Sequence, residues 1–262
     1  MKFLVCIKQV PASNKVAVDP DTGVLRRNGV DSKMNPYDLY ALETAFRLRE
    51  QVSGSITVLT MGPPQAESVL REALAMGADE AVLLSDRQFG GADVLATSRT
   101  LAQGIQCIGA FDIILCGKQT TDGDTAQVGP ALAEWLGLPS VCDVRRFNKV
   151  SQESLVVEMD MQEALELVEV KFPCLLSVCK DIFAPRLPSY VRMKQIKNKQ
   201  VKLLTLADLA DKTADNYGLS GSPTKVQRIF PPQHDVKHEI WHESSNILAT
   251  KLFAVLETKK FI

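Results

Sequence analysis

Phe111-Asp112-Ile113-Ile114-Leu115-Cys116-Gly117-Lys118-Gln119-Thr120-Thr121-Asp122-Gly123-Asp124-Thr125-Ala126-Gln127-Val128-Gly129-Pro130 is the stretch whose reading decides the fold. Its apolar run, residues 111–116, reads as a buried strand. A polar, glycine-bearing loop follows, and residues 125–136 read as a helix stopped by Gly137 and Pro139. Upstream the same alternation recurs. Residues 3–7, 55–61 and 80–84 have strand character, and residues 36–51, 66–76 and 93–108 have helical apolar periodicity, with Asp93 as N-cap and Gly77 just past a helix end. Strands and helices of these lengths in alternation predict right-handed βαβ units. The fold class is therefore α/β, a doubly wound, mostly parallel sheet covered on both faces.

Past about residue 145 the texture changes. We expect residues 1–145 to form the α/β core. Residues 146–180 would continue it with two strands, 154–159 and 165–170, joined by a turn as antiparallel partners, followed by an apolar run at 174–179. Residues 181–262 read as a partner-wrapping arm and a C-terminal helix. Residues 186–202 carry six basic and no acidic side chains, and Pro185 and Pro188 argue for an extended path there. Phe230-Pro231-Pro232 reads as extended too. The last helix is expected at 245–259, with Ile247, Leu248, Phe253 and Leu256 inward.

Composition narrows the function. Among 262 residues, 30 Lys and Arg balance 31 Asp and Glu, so whole-chain charge offers no case for a nucleic-acid or membrane partner. Hydrophobic content of 45 % with 23 % charged residues is that of a globular protein rather than a disordered one. The six cysteines contain no CxxC pair and sit mostly in apolar runs, which favours buried free thiols over a disulfide framework or zinc site. The first apolar run is too short for a signal-peptide core, and no stretch approaches the roughly 20 apolar residues that span a bilayer. A cytoplasmic protein is the expectation.

In an open parallel sheet, ligands bind outside the carboxyl ends of the strands. Three such ends are legible: near Cys6, near Met61-Gly62 and at Cys116-Gly117. The loop after Cys116 is the most informative. Gly117, Gly123 and Gly129 permit close backbone approach, while Thr120, Thr121 and Thr125 supply hydroxyls. Thr125 is placed where a helix begins, so free N–H groups there would attract phosphate. Asp122 and Asp124 would accept from ribose hydroxyls or cap the helix. Neither GxxxxGK[ST] nor GxGxxG is present. A capped loop carrying no ligand remains the competing reading, as does a simple N-cap with Pro at N1 for Asn35-Pro36-Tyr37-Asp38.

At these motifs the chain resembles the β subunit of electron-transferring flavoproteins. The matching pieces are Lys8-Gln9-Val10-Pro11, Met34-Asn35-Pro36-Tyr37-Asp38 with Ala41-Leu42-Glu43, Ala73-Leu74-Ala75-Met76-Gly77-Ala78-Asp79, Gly117-Lys118-Gln119 through Gly129, and Pro185-Arg186 with Pro188-Ser189, in family order over essentially the full chain. The resemblance implies a heterodimer with an α subunit that carries a redox FAD. It also implies an adenine nucleotide in this chain's own core: structural AMP in ordinary members, a second FAD that takes a hydride from NADH in the electron-bifurcating branch. The nucleotide contacts it implies are Cys6, Asn35, Pro36, Tyr37, Asp38, Met61, Gly117, Lys118, Gln119, Thr120, Thr121, Asp122, Gly123, Asp124, Thr125, Ala126, Gln127 and Val128. The runs 122–130 and 91–98 look like the bifurcating version, which favours FAD over AMP and brings Thr97 toward a flavin ring. One stretch departs from the family. Residues 158–166 lack its usual basic residue and glycines. The resemblance further implies that Ile182 and Phe183 lie in a loop that docks on an acyl-CoA dehydrogenase-type flavoprotein.

No side chain is expected to act as a catalyst, because the flavins carry the chemistry. His234, His238 and His242 are spaced by four, but their strand-like alternation would separate successive members by about 13 Å, and no metal site is expected. A rival of another class is an adenine-nucleotide enzyme or sensor on a similar sheet. An ATP pyrophosphatase would need a Ser-Gly-Gly loop after the first strand, where this chain has Lys8-Gln9-Val10-Pro11-Ala12.

Overall fold

The computed structural model describes residues 1–12, 31–227 and 238–262. They fall into two compact units, Met1–Arg228 and Ile229–Ile262. The first unit is built on a nine-stranded sheet. In chain order its elements are β1 (Lys2–Cys6), a short β2 (Gln9–Pro11) and β3 (Ser32–Met34), α1 (Pro36–Val52), β4 (Ser55–Met61), α2 (Glu67–Met76), β5 (Glu80–Leu84), α3 (Val94–Ile108), β6 (Ile113–Gly117), α4 (Val128–Leu136), β7 (Ser140–Val150), β8 (Ser154–Asp160), β9 (Leu165–Lys171), β10 (Cys174–Val178), α5 (Tyr190–Gln195) and β11 (Lys202–Leu204).

The sheet order is β11-β5-β4-β1-β6-β10-β7-β8-β9, while β2 and β3 pair separately. From β11 to β7 every neighbour is parallel, and β7-β8-β9 continue antiparallel. This is the doubly wound α/β sheet that the alternation predicts. Phe3 and Val5 of β1, and Ile7 just past it, pack with α1 and α2 on one face. Leu4 and Cys6 pack with α3 and α4 on the other. The crossovers α1 and α2 build outward from β1 in one direction, and α3 returns the chain to its other side. The order therefore reverses between β1 and β6, and this reversal opens a crevice at their carboxyl ends.

Two local expectations need correction, and one strand is not foreseen. The helix expected from Thr125 starts at Val128, after Asp124 and Ala126 take left-handed φ values of 52° and 53°. Pro130 explains this. A helix begun at Thr125 would need the residue-130 N–H as an interior donor, whereas a start at Val128 puts Pro130 in the first turn, where no donor is required. The span 186–202 is not simply extended: α5 forms directly after Pro188, where the Ser189 hydroxyl accepts from Arg192 N–H at 3.4 Å, and β11 begins at Lys202. Proline bars the turn before it, not a helix begun two residues later. The long strand β7 has no clear sequence signature, because its outer half, Arg145-Arg146-Phe147-Asn148-Lys149-Val150, is mostly polar and exposed and keeps no period of two.

The second unit contains α6 (Ser245–Thr258). Of the side chains read as inward, Leu248 and Leu256 are half-buried, but Ile247 and Phe253 are 55 % and 59 % exposed. His238 and His242 lie in irregular chain; His234 and the stretch 230–232 lie outside the described residues. No helix among the described residues is long and apolar enough to cross a membrane.

Candidate functional site

The crevice is organised around Asp38. Pro36 starts α1 and puts Asp38 in its first turn, fully inside the protein. The carboxylate accepts the Lys8 N–H, just past β1, at 2.7 Å. On its other side lies Gly117, the last residue of β6. A Cβ on Gly117 would stand 2.6 Å from Asp38 Oδ1 and 2.6 Å from the Tyr37 carbonyl carbon, so only glycine lets β6 pass this close to α1. Burial pushes the Asp38 carboxyl up to about 7, against the lowering effect of hydrogen bonds from Asn35 and Lys8.

Asn35 sits at the N-cap position but its side chain does not cap α1. It reaches across the crevice instead. Asn35 Nδ2 donates to the Gln119 carbonyl at 2.9 Å, and Asn35 Oδ1 accepts from Thr121 N–H at 3.2 Å. Asn35 N–H in turn donates to the Lys8 carbonyl at 2.8 Å. This buried amide thus ties the exit of β1, the start of α1 and the loop after β6 into one framework. It does more than the simple cap reading allows.

The loop is fixed at its base and open at its tip. The Lys8 ammonium donates to both oxygens of Asp122 at 2.8 Å. Burial pushes the Asp122 carboxyl up, but the bond and charge of Lys8 outweigh it and hold the group below the usual range. Asp124 N–H donates to the Thr120 carbonyl at 2.9 Å, and Gln119 Nε2 donates to Asp124 Oδ1. Residues 121–127 are all exposed. Gln127 gives α4 no side-chain cap, and Pro130 has no N–H, so the Val128 and Gly129 N–H groups are the donors that α4 presents toward the loop.

The structure thus brings Cys6, Asn35, Pro36, Tyr37, Asp38, Gly117, Gln119, Thr120, Thr121, Asp122 and Asp124 around one crevice. Met61 ends β4, the strand beside β1, and packs half-buried with the α3/α4 side of the core. Lys118 turns away from the loop tip. Its ammonium pairs with Asp143 Oδ2 at 3.2 Å; burial lowers the ammonium, and Asp143 more than offsets this to raise it. Thr125 lies exposed between the two left-handed residues rather than on a helix. Thr97 is half-buried in the first turn of α3, behind Asp93, whose carboxylate caps Ala96 N–H at 3.1 Å and accepts from Thr224 Oγ1 at 2.8 Å. Ile182 packs partly buried on the core, and Phe183 stacks on Phe147 with centroids 6.5 Å apart.

Two residues of the network escape sequence reasoning. Lys8 stands two residues past β1, where a strand-end rule would find it. Asp143, in β7 with φ 55°, has no signal short of the fold, because its partner Lys118 lies 25 positions away. Among the described residues no group of His, Cys, Asp and Glu is arranged to hold a metal ion.

Comparison with known proteins bears on what such a crevice does. A model of the electron transfer flavoprotein domain matches residues 22–209. The electron transfer flavoprotein subunit beta of Thermoanaerobacterium thermosaccharolyticum is 49 % identical over 243 residues, 92 % of each chain. The caffeyl-CoA reductase-Etf complex subunit CarD of Acetobacterium woodii is 42 % identical over 264 residues, the full length of both. Protein FixA of Azorhizobium caulinodans is 43 % identical over 238 residues, covering 88 % of this chain and 85 % of its own.

Proposed function

The chain belongs to the electron transfer flavoprotein family, and from that premise we propose that it is the β-type subunit of a two-chain electron carrier, holding an adenine nucleotide in the crevice between β1 and β6. The observation that carries the reading is the Asn35–Asp38–Gly117 framework, a rigid polar base beneath an open, hydroxyl-rich loop at the reversal of strand order. The donor set fits the group. Val128 and Gly129 N–H at the start of α4 suit a phosphate, the Thr120, Thr121 and Thr125 hydroxyls add donors, and Asp122 and Asp124 suit ribose hydroxyls.

The nucleotide we propose is FAD, with AMP as the alternative. Full-length similarity to a subunit whose name places it in a caffeyl-CoA reductase complex supports the bifurcating reading. A bound FAD would supply hydride acceptance from NADH and single-electron transfer to the FAD of an α partner. The residues of this chain bind and orient. Asn35 holds the loop base, Lys8 holds Asp122, and the close approach at Gly117 fixes the two strand exits. In this reading Thr97 faces the ring system and tunes it by a hydrogen bond. The stretch carrying Ile182 and Phe183, followed by Leu187 at 86 % exposure, docks on an acyl-CoA dehydrogenase-type partner.

The test is nucleotide retention. Asp124→Ala and Thr125→Val should each lower the nucleotide extracted from the purified complex, and full retention in both would remove the loop from the site. Ile182→Asp should slow reduction by the dehydrogenase while leaving subunit assembly intact. Equal loss of assembly would instead give Ile182 to the subunit interface.

A further inference from the structure

We propose that Cys6 and Cys116 are an oxidisable thiol pair on the floor of the crevice, which hydrogen peroxide joins into a cross-strand disulfide between β1 and β6. The two strands are adjacent and parallel, and Cys6 and Cys116 are direct register partners. Both side chains join the same α3/α4-side cluster, so they leave the sheet on the same face. Neighbouring strands lie about 4.8 Å apart, inside the roughly 4.4–6.8 Å Cα separation that a disulfide spans. Cys6 closes β1, and Cys116 is the last residue but one of β6, so the pair lies at the carboxyl ends of the two strands, with Cys116 next in sequence to Gly117.

The chemistry of the pair supports contact between the two sulfurs. A hydrogen bond with Cys6 and then burial push the Cys116 thiol well up, and the steps begin at Cys6, the residue that closes β1. The Cys6 sulfur attacks one peroxide oxygen and the O–O bond breaks. The first water leaves with the Cys6 proton, and Cys6 becomes a sulfenic acid. The Cys116 sulfur then attacks the Cys6 sulfur, forming the S–S bond and expelling the hydroxyl with the Cys116 proton as a second water. Two thiols are oxidised by two electrons and one peroxide is reduced to two waters.

The other cysteines are placed less well. Cys174 belongs to the opposite face of the sheet, where burial pushes it up to about 12. Cys107 is on α3, with its sulfur donating to the Asp208 carbonyl at 3.2 Å. Cys142 lies on β7, which β10 separates from β6, at about twice the strand spacing. Cys179 follows β10 and is offset from Cys116 by two residues along the register, at about 8 Å.

The experiment treats the purified full-length protein, with its partner if it purifies as a complex, with hydrogen peroxide. Remaining thiols are then alkylated under denaturing conditions and the peptides mapped by mass spectrometry. The expected result is one disulfide joining the peptide of Cys6 to that of Cys116, a mass loss of about 2 Da and full reversal by dithiothreitol. Cys6→Ser and Cys116→Ser should each abolish it. The mapping of the unmutated protein decides the matter even if a variant folds poorly. A bridge from Cys116 to Cys142 or Cys179, sulfinic acid on Cys6 without a bridge, or oxidation confined to Cys107 would each overturn the proposal.

Discussion

The crevice and the arm solve the same problem, holding irregular chain in place, by different means. The crevice is fixed by many short bonds among strand exits, with a buried amide and a buried carboxylate at its centre. The stretch after β10 touches the core at several places, and its densest polar anchor is a single residue pair. Glu43 of α1 is wholly buried, and Arg186 reaches it with its N–H at 3.1 Å, Nε at 2.8 Å and Nη2 at 3.0 Å, while its guanidinium lies 4.5 Å from the Phe46 ring centroid. Burial pushes the Glu43 carboxyl up, but Arg186 and Arg47 outweigh it and hold it below the usual range. Beyond that clamp Leu187, Tyr190 and Val191 are exposed. A ligand site needs rigid walls, whereas a docking segment needs one firm anchor and a free apolar surface.

The largest effect should come from the clamp. Glu43→Ala removes the main partner of Arg186, which stays a third exposed and keeps Glu50 at 2.9 Å, and should cost about 2–3 kcal/mol in denaturant unfolding. Limited proteolysis should then cut in the 181–204 stretch first. Unchanged stability would mean that the arm is held elsewhere. Gly117→Ala attacks the crevice in the same spirit. Its new Cβ must displace Tyr37 backbone or Asp38, at about 1–3 kcal/mol and with lost nucleotide retention. A variant that unfolds like the parent and keeps its nucleotide would contradict the close approach.

The crevice should also respond to pH where the clamp does not. Asp38 is pushed from an ordinary 3.8 up to about 7, so the folded protein binds this proton more tightly than the unfolded chain. The stability from that proton is complete below about pH 3.8, falls as pH rises and is gone above about pH 7. Between about pH 5.5 and 8 it accounts for a loss of about 2 kcal/mol, which Asp38→Asn should remove from the pH profile of unfolding. A parallel profile in the variant would sink the assignment. The smallest effect belongs to the arm. Ser189→Ala removes a long capping bond on α5 and should cost about 0.5 kcal/mol, read from the same unfolding curves.

Much of this was legible before the fold. Phe3 to Ile7 and Ile113 to Cys116 announce buried parallel strands by apolar content alone, and the strand-end rule then leads to Cys6, Met61 and Gly117, while Asp38 enters only through the resemblance. Local rules failed where a later residue decides. Pro130 postpones α4 and so takes Thr125 off the helix. Ser189 rescues α5 just after Pro188. The Lys8–Asp122 pair spans 114 positions and Asn35–Gln119 spans 84, and no periodicity encodes such meetings. They follow from the order of the strands.

The central claim is that the crevice between β1 and β6 holds an adenine nucleotide that takes part in electron transfer. Its most direct test is a visible spectrum and nucleotide extraction from the purified complex of this chain with its α partner. Two FAD per complex are expected, with loss of the one in this chain on Gly117→Ala. One FAD with one AMP would contradict electron bifurcation, and no nucleotide attributable to this chain would contradict the site itself.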